Sequence, residues 1–452
     1  TSVFPLALSM MLELDDEPEW HTRDDDDEDN SDYSMFDAGQ EALDRLAIAL
    51  GGKTILPVAF QFIPTFLSNE GSWVHRHAAL LAISQIGEGC ERQIGDQLAN
   101  VMEMPLRSFG DSHPRVRWAA INCIGQMCTD FGPSIQLHHH SRILPSLVAA
   151  MDDAGNPRVQ SHAAAAIINF CDEASPEIMA PYLDQLLRQL MRLLQSSHRL
   201  IQEQAVTAVA AVADAAESNF MPYYDNFIPD LKKVLSVASG QKQLRRLRGK
   251  VMECISLIGL SVGREKFAAD AAYVMDVLVR TQGQQLESDD PQGFYLMQAY
   301  ARICRCLKED FIPYLPYVMP GLLASAEQKP DIEVLGPDDE EDVEQDDDME
   351  TVHLGDTKIG IRTSVLEDKA TACNMIACFV SELKGGFIQY VEPVAQLMVP
   401  LLKFFYHEEV RTAAAGCLPD LVRAVKAQGP QMESQTKQLV DFMLPKLIEA
   451  AR

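Results

Sequence analysis

The sequence predicts an all-α fold, a HEAT-repeat right-handed superhelical solenoid carrying two acidic loop insertions. Three observations predict it. An Ala-rich apolar motif returns about every 42 residues, a Pro-led apolar helix precedes its copies, and 47% of the 452 residues are hydrophobic, ample for a continuous core.

The motif is clearest in Trp73-Val-His-Arg-His-Ala-Ala-Leu-Leu-Ala-Ile, Arg115-Val-Arg-Trp-Ala-Ala-Ile-Asn-Cys-Ile, Arg158-Val-Gln-Ser-His-Ala-Ala-Ala-Ala-Ile-Ile and Leu200-Ile-Gln-Glu-Gln-Ala-Val-Thr-Ala-Val. Weaker copies start near Leu244, Gly293, Val365 and Glu409. Apolar residues at helical spacing make each copy a helix, B, and its small residues allow close packing. The helix before it, A, has Pro near its start, as in Pro181-Tyr-Leu-Asp-Gln-Leu-Leu, Pro222-Tyr-Tyr-Asp-Asn-Phe-Ile and Pro313-Tyr-Leu-Pro-Tyr-Val-Met. Proline is tolerated in a first turn, where its missing N–H has no partner to lose. The starts His113-Pro-Arg-Val-Arg and Asn156-Pro-Arg-Val-Gln of helix B complete a HEAT pattern of about nine and a half units over residues 1–452. One unit cannot bury its apolar face alone; stacked neighbours can. The stack places A helices outside and B helices along the concave side. The chain starts at Thr1 inside an apolar helical pattern and stops inside another, so it reads as a piece of a longer protein.

The net charge of −28 is concentrated in two inserts, residues 13–34 and 329–362. Glu13 to Asp32 carries −11 and Asp331 to Glu350 carries −12, leaving −5 elsewhere. Both runs interrupt a single unit between its A and B helices, and both should be flexible loops, either solvated spacers or docking strips for a basic partner. So acidic a surface repels nucleic acid and anionic membranes and favours basic proteins. No apolar stretch reaches bilayer-spanning length, so no membrane insertion is expected. Ten cysteines without a CxxC framework read as reduced core residues. His138-His-His140 reads as the turn before a helix A and lacks companion ligands, so no metal is expected. Cys304 and Cys306 read as core. Arg245, Arg246, Arg248 and Lys250 read as a solvated helix start or an internal pairing group. Walker, GxGxxG, GxSxG and HExxH motifs are absent, which argues for binding without catalysis or cofactor.

One pattern points to a site. Glu88, Asp130, Asp172 and Asp214 recur 42 residues apart near the ends of four successive B helices, and Ser261 takes the place in the next copy. An acid in a last helical turn opposes the macrodipole by about 0.3–1 kcal/mol. Four in register call for a cause. Either they cap the following turn or A helix, or they form anionic pockets for an extended lysine-rich peptide, with Gln85, Gln126 and Asn169 beside them. Asn122 and Asn169 lie inside B helices, where Asn is a poor helix former. They bond either to a neighbouring helix or to a peptide backbone.

The runs Pro114-Arg-Val-Arg-Trp-Ala-Ala-Ile-Asn, Arg158-Val-Gln-Ser-His-Ala-Ala-Ala-Ala-Ile-Ile-Asn-Phe, Leu247-Arg-Gly-Lys-Val-Met-Glu-Cys-Ile-Ser-Leu-Ile-Gly, Val262-Gly-Arg-Glu-Lys-Phe and Pro400-Leu-Leu-Lys-Phe resemble the importin-beta (karyopherin-beta) superfamily, in its importin-five branch. The resemblance covers essentially the whole chain, including both inserts. It implies a nuclear transport receptor shuttling between cytoplasm and nucleus. Such receptors bind lysine-rich localisation signals of cargo, contact Phe-Gly nucleoporins, and release cargo when the GTP-bound form of the GTPase Ran binds. It also implies signal-binding roles for Asp44 in Ala42-Leu-Asp-Arg, Glu88, Asp130, Asn169 and Asp172. Asp44 rests on the resemblance alone, Asp214 and Asn122 more on spacing and helix position. The superfamily's main Ran surface lies in N-terminal repeats that this chain lacks, so weak Ran binding is expected. The first insert sits where the superfamily has an acidic loop that helps couple Ran binding to cargo release. The competing expectation is a HEAT scaffold subunit of a multiprotein complex.

Overall fold

The structure, a computed structural model, describes residues 3–17, 19–20, 34–238, 241–282, 292–330, 332–335, 349–354 and 357–451. The centres of the two acidic runs, residues 21–33 and 336–348, lie outside the described residues. The chain forms two compact units, Thr1–Leu231 and Lys232–Arg452.

In the first unit each A helix is followed by its B helix. The pairs are α1 (Val3–Met10) with α2 (Met35–Leu50), α3 (Gly52–Leu67) with α4 (Trp73–Ile94), and α5 (Leu98–Ser108) with α6 (Pro114–Asp130). Next come α7 (Ser134–Ala150) with α8 (Pro157–Asp172), then the split helix α9 (Pro176–Met179) and α10 (Leu183–Leu194) with α11 (Arg199–Ala216). Helix α12 (Tyr224–Ala238) contains the unit boundary and leads to α13 (Arg245–Val262). The second unit continues with α14 (Arg264–Gln282) and α15 (Gln292–Leu307), α16 (Leu315–Glu327) and α17 (Thr363–Leu383), α18 (Val391–Leu401) and α19 (Glu408–Lys426), and finally α20 (Glu433–Ala450).

Within the first unit α2, α4, α6, α8 and α11 pack side by side in that order, each backed by its A helix. In the second, α13, α15, α17 and α19 pack side by side in that order. Small residues make these layers possible. Ala78, Ala79, Ala119, Ala120, Ala163, Ala164, Ala205 and Ala208 are fully buried between neighbouring helices. At Gly89 a Cβ would lie 2.2 Å from the Ala47 carbonyl carbon, so only glycine permits the approach of α4 to α2. Helix α2 starts where it does because of a capping box. Asp37 N donates to Ser34 Oγ at 3.3 Å, and Ser34 N donates to Asp37 Oδ2 at 2.9 Å.

The turn from B to the following A helix has its own signature. Glu217, Lys308 and Lys384 adopt left-handed φ values of 48°, 51° and 47° at the ends of α11, α15 and α17. Three residues later Phe220, Phe311 and Phe387 are fully buried. The left-handed residue costs about 1–2 kcal/mol, and burying a Phe returns about 1.5–3 kcal/mol. Pro181, Pro222 and Pro313 fall in the short 3-10 stretches that lead into the A helices.

The other turn is held by the fourth residue of helix B. Arg76, Arg117, Gln160, Gln202, Arg248 and Arg411 donate to the carbonyls of Asn69, Asp111, Met151, Leu194, Ala238 and Phe404, at 2.7–3.1 Å. These carbonyls lie at or just beyond the ends of A helices, where intrahelical donors run out. Arg76 also reaches Asp111 of the next repeat through two nitrogens, at 2.7 and 2.9 Å, and Arg117 reaches Asp153 in the same way, at 2.9 and 2.7 Å. Removing Arg76 strands a largely buried carboxylate. Arg76→Ala is expected to lower unfolding free energy by about 2–3 kcal/mol in urea titration. A loss below about 0.5 kcal/mol would mean the pair is a spectator.

Three expectations need correction. His138–His140 lie inside α7, not in a turn, because Ile135 and Ile143 carry a helical apolar period through them. His140 Nδ1 lies 2.8 Å from the Tyr182 hydroxyl. The second insert has ordered flanks in place of a loop. Strands β1 (Ile332–Leu335), β2 (Met349–Leu354) and β3 (Thr357–Arg362) form an antiparallel sheet of order β1-β3-β2. Ile332 pairs with Ile361, and Val352 with Ile359. Apolar residues at alternate positions on both sides of the acids supply the strand pattern. The first insert is also placed at its start, where Asp16 and Trp20 rest against α6 and α8. Within the basic cluster, Arg248 is buried and donates to Gln292 and Ala238.

Candidate functional site

The B-helix layer of the first unit brings the sequence's acids together unevenly. Asp44 lies on α2, Glu88 on α4, Asp130 at the end of α6, Asp172 at the end of α8 and Asp214 on α11. Glu88, Asp172 and Asp214 are exposed; Asp44 and Asp130 are half-buried.

Asp130 is the centre. Its Oδ1 accepts from Gln126 Nε2 at 2.8 Å. Its Oδ2 is buried with no hydrogen-bond partner among the described residues. Burial, opposed by the Gln126 hydrogen bond, together with repulsion from Glu88, Asp44 and Glu91, pushes its carboxyl up to about 6. Asp44, Glu88, Glu91 and Asp130 therefore form one anionic cluster across three helices. Asp172 and Asp214 form a second group beside Cys171, whose buried thiol they help to push up, after burial itself and Cys128.

Glycine sets the depth of the first cluster. A Cβ on Gly87 would lie 2.2 Å from Asp130 Oδ2, so the carboxylate occupies the space a side chain would take. Gly87→Ala is expected to push the carboxylate out and to cost about 1–3 kcal/mol of stability. It should weaken peptide binding at this cluster at least tenfold; unchanged binding would place the peptide elsewhere.

Among the described residues no backbone N–H donates to Glu88, Asp130, Asp172 or Asp214. Capping therefore does not account for the spacing. Asn169 does bond to a neighbouring helix: Nδ2 donates to Gly125 O on α6 at 3.3 Å, which leaves its amide oxygen. Asn122 is half-buried and makes no side-chain hydrogen bond among the described residues. It shares a face of α6 with Gln126 and Asp130, at four-residue steps. Glu91 was missed in the sequence. It lies outside the 42-residue register, and the only signal was its three-residue step from Glu88 on one helix.

The first unit thus stacks helix pairs with a cluster of acids in its B layer, and no metal-ligating cluster occurs among the described residues. Family comparison gives the class. Residues 1–57 match an importin repeat model, residues 73–127 a HEAT-like repeat model, and residues 136–335 the TPR repeats of importin subunit beta-1-like proteins. Importin subunit beta-3 of Saccharomyces cerevisiae is 38% identical over 95% of this chain and 39% of its own length. A probable importin-5 homolog of Dictyostelium discoideum is 29% identical over 93% of the chain and 37% of its own length. The chain thus spans about two fifths of these relatives. The crystal structure of Kap121p bound to Pho4p superposes with a TM-score of 0.89 at 36% identity, over 99% of this chain and 42% of that one. Kap121p bound to Nup53p gives 0.88 at 37% identity, over 99% and 42%. A Kap121p mutant in which an Asp, a Glu and an Asp, 43 and 42 residues apart, are changed to Lys gives 0.90 at 36% identity, over 99% and 43%. The chain belongs to the importin-beta superfamily.

Proposed function

We propose that this chain is the cargo-binding part of a nuclear transport receptor. Its α2–α4–α6–α8 layer takes a lysine-rich localisation signal. One observation carries the reading: Asp130 Oδ2 is buried without a donor, inside a cluster of four acids. A lysine ammonium brings three donors and a positive charge on a long apolar stem, and supplies what this oxygen lacks. Asn122, two turns before Asp130 on α6, and Asn169, one repeat further along on α8, are positioned to hold the peptide backbone, with Asp172 and Asp214 as a second, shallower acidic group for a following lysine.

The relatives support the reading. Kap121p has been crystallised with Pho4p and with Nup53p, and an Asp–Glu–Asp triple there repeats the residue order, and nearly the spacing, of Asp44, Glu88 and Asp130. Cargo proteins and Phe-Gly nucleoporins are accordingly the partners, Ran the releasing factor, and shuttling between cytoplasm and nucleus the setting. The work is binding and release, without covalent chemistry. A scaffold subunit has no use for an unpaired buried carboxylate among three others. The test is the affinity of a lysine-rich peptide, and of its lysine-to-alanine series, for the chain and for a Glu88/Asp130 double variant. Equal affinity for both proteins rejects the assignment.

A further inference from the structure

The opposite end of the same layer has the opposite chemistry. At the N-terminal ends of α4, α6 and α8, Trp73 stacks face to face on His113, with centroids 4.1 Å apart, and Trp118 stacks on His162 at 4.4 Å. Arg115 and Arg158, the second residues of α6 and α8, are only 5% and 6% exposed. Their guanidinium carbons lie 5.0 and 4.7 Å from the centroid of one ring, that of Trp20. Trp20 meets Trp118 edge-on at 6.0 Å, and Asp16 Oδ1 lies 3.7 Å from His113 Nε2. Arg115 is also held over Trp73, at 5.5 Å, so half of the slot is built without Trp20.

Two buried guanidiniums from different repeats converging on one π face specify a ligand. They favour an aromatic ring, and with His113 they favour acids beside it. They repel the lysine-rich peptide that suits the acidic pocket. The occupant here is the chain's own Asp16–Trp20 segment, from the first insert. We propose that this slot is a binding site for acidic–aromatic peptide segments of partner proteins, held closed in cis by Asp16–Trp20. The inference does not depend on the cargo reading, because its ligand has the opposite charge.

The test uses a fluorescein-labelled peptide of residues 14–22, Leu-Asp-Asp-Glu-Pro-Glu-Trp-His-Thr, added to the full chain. Trp20→Ala empties the slot and is expected to bind this peptide at least tenfold more tightly than wild type. Adding Arg158→Ala should undo that gain, and a peptide with Ala for Trp should not bind. If circular dichroism shows that Arg158→Ala melts early, Arg158→Gln takes its place. All three tryptophans of the chain lie in this cluster, so the emission of the wild type should shift on Trp20→Ala and return towards its original position when the peptide binds. Equal binding to wild type and Trp20→Ala, or binding indifferent to Arg158, overturns the proposal.

Discussion

Replacing Glu88 and Asp130 together by alanine is expected to weaken binding of a lysine-rich peptide by a factor of about a hundred or more. Hydrogen bonds to charged groups are each worth about 1.5–3 kcal/mol when partly desolvated. The two carboxylates lie on adjacent helices close enough to repel one another, so an ammonium between them would feel both. Surface ion pairs give a useful contrast, at roughly 0–1 kcal/mol. Asp214→Ala removes an exposed acid from the second group and should change affinity less than fivefold. The comparison is made by fluorescence anisotropy at one ionic strength, because salt weakens every charged contact to some degree, including those of the rest of a −28 surface. A double variant that binds within threefold of wild type would remove the pocket from the reading. A single lysine in the peptide whose loss matches the double variant would identify the residue that fills it.

The parts of this layer that sequence shows are those fixed by the repeat. A 42-residue period must be kept if each helix is to meet its neighbour, and it carries Glu88, Asp130, Asp172 and Asp214 to equivalent places. The period does not show burial. Asp130 lies deep because Gly87, on another helix, has no side chain, and Asp214 stays exposed at the same register position. The ladder therefore separates into two groups of different strength, which spacing alone treats as equal. The cationic slot was less legible still. Arg115 and Arg158 are visible as motif positions, but their common partner is Trp20, 95 and 138 residues earlier, in a stretch whose composition reads as loop. The same composition hid the sheet of the second insert, where the alternating apolar residues are few and the acids between them many. In both inserts the charged centre dominates the composition, and the short apolar flanks determine the structure.

Asp130→Asn should stabilise the chain while weakening peptide binding, and its pH dependence distinguishes a recognition residue from a structural one. In the fold the Asp130 carboxyl titrates at about 6, against 3.8 for the unperturbed group. A raised carboxyl means that the fold disfavours its charged form. Below about pH 4 folded and unfolded chains both carry the proton and nothing is lost. The cost grows as pH rises from about 4 to 6 and is complete above that. Two pH units correspond to nearly 3 kcal/mol, and solvent screening at this half-buried site reduces that to about 1–2 kcal/mol. Asp130→Asn should therefore unfold later in urea at pH 7.5 by that amount, with the difference gone at pH 4. An ammonium in the pocket reverses the balance. It favours the carboxylate, so binding near pH 6 should release a proton, and wild-type affinity should fall as pH drops from 7 to 5. Asn in place of Asp130 should bind the peptide at least tenfold more weakly and without that pH dependence. If the variant is instead less stable than wild type at pH 7.5, the carboxylate is holding the repeat together. A carboxylate that costs stability until a cation arrives is one the fold maintains for its ligand.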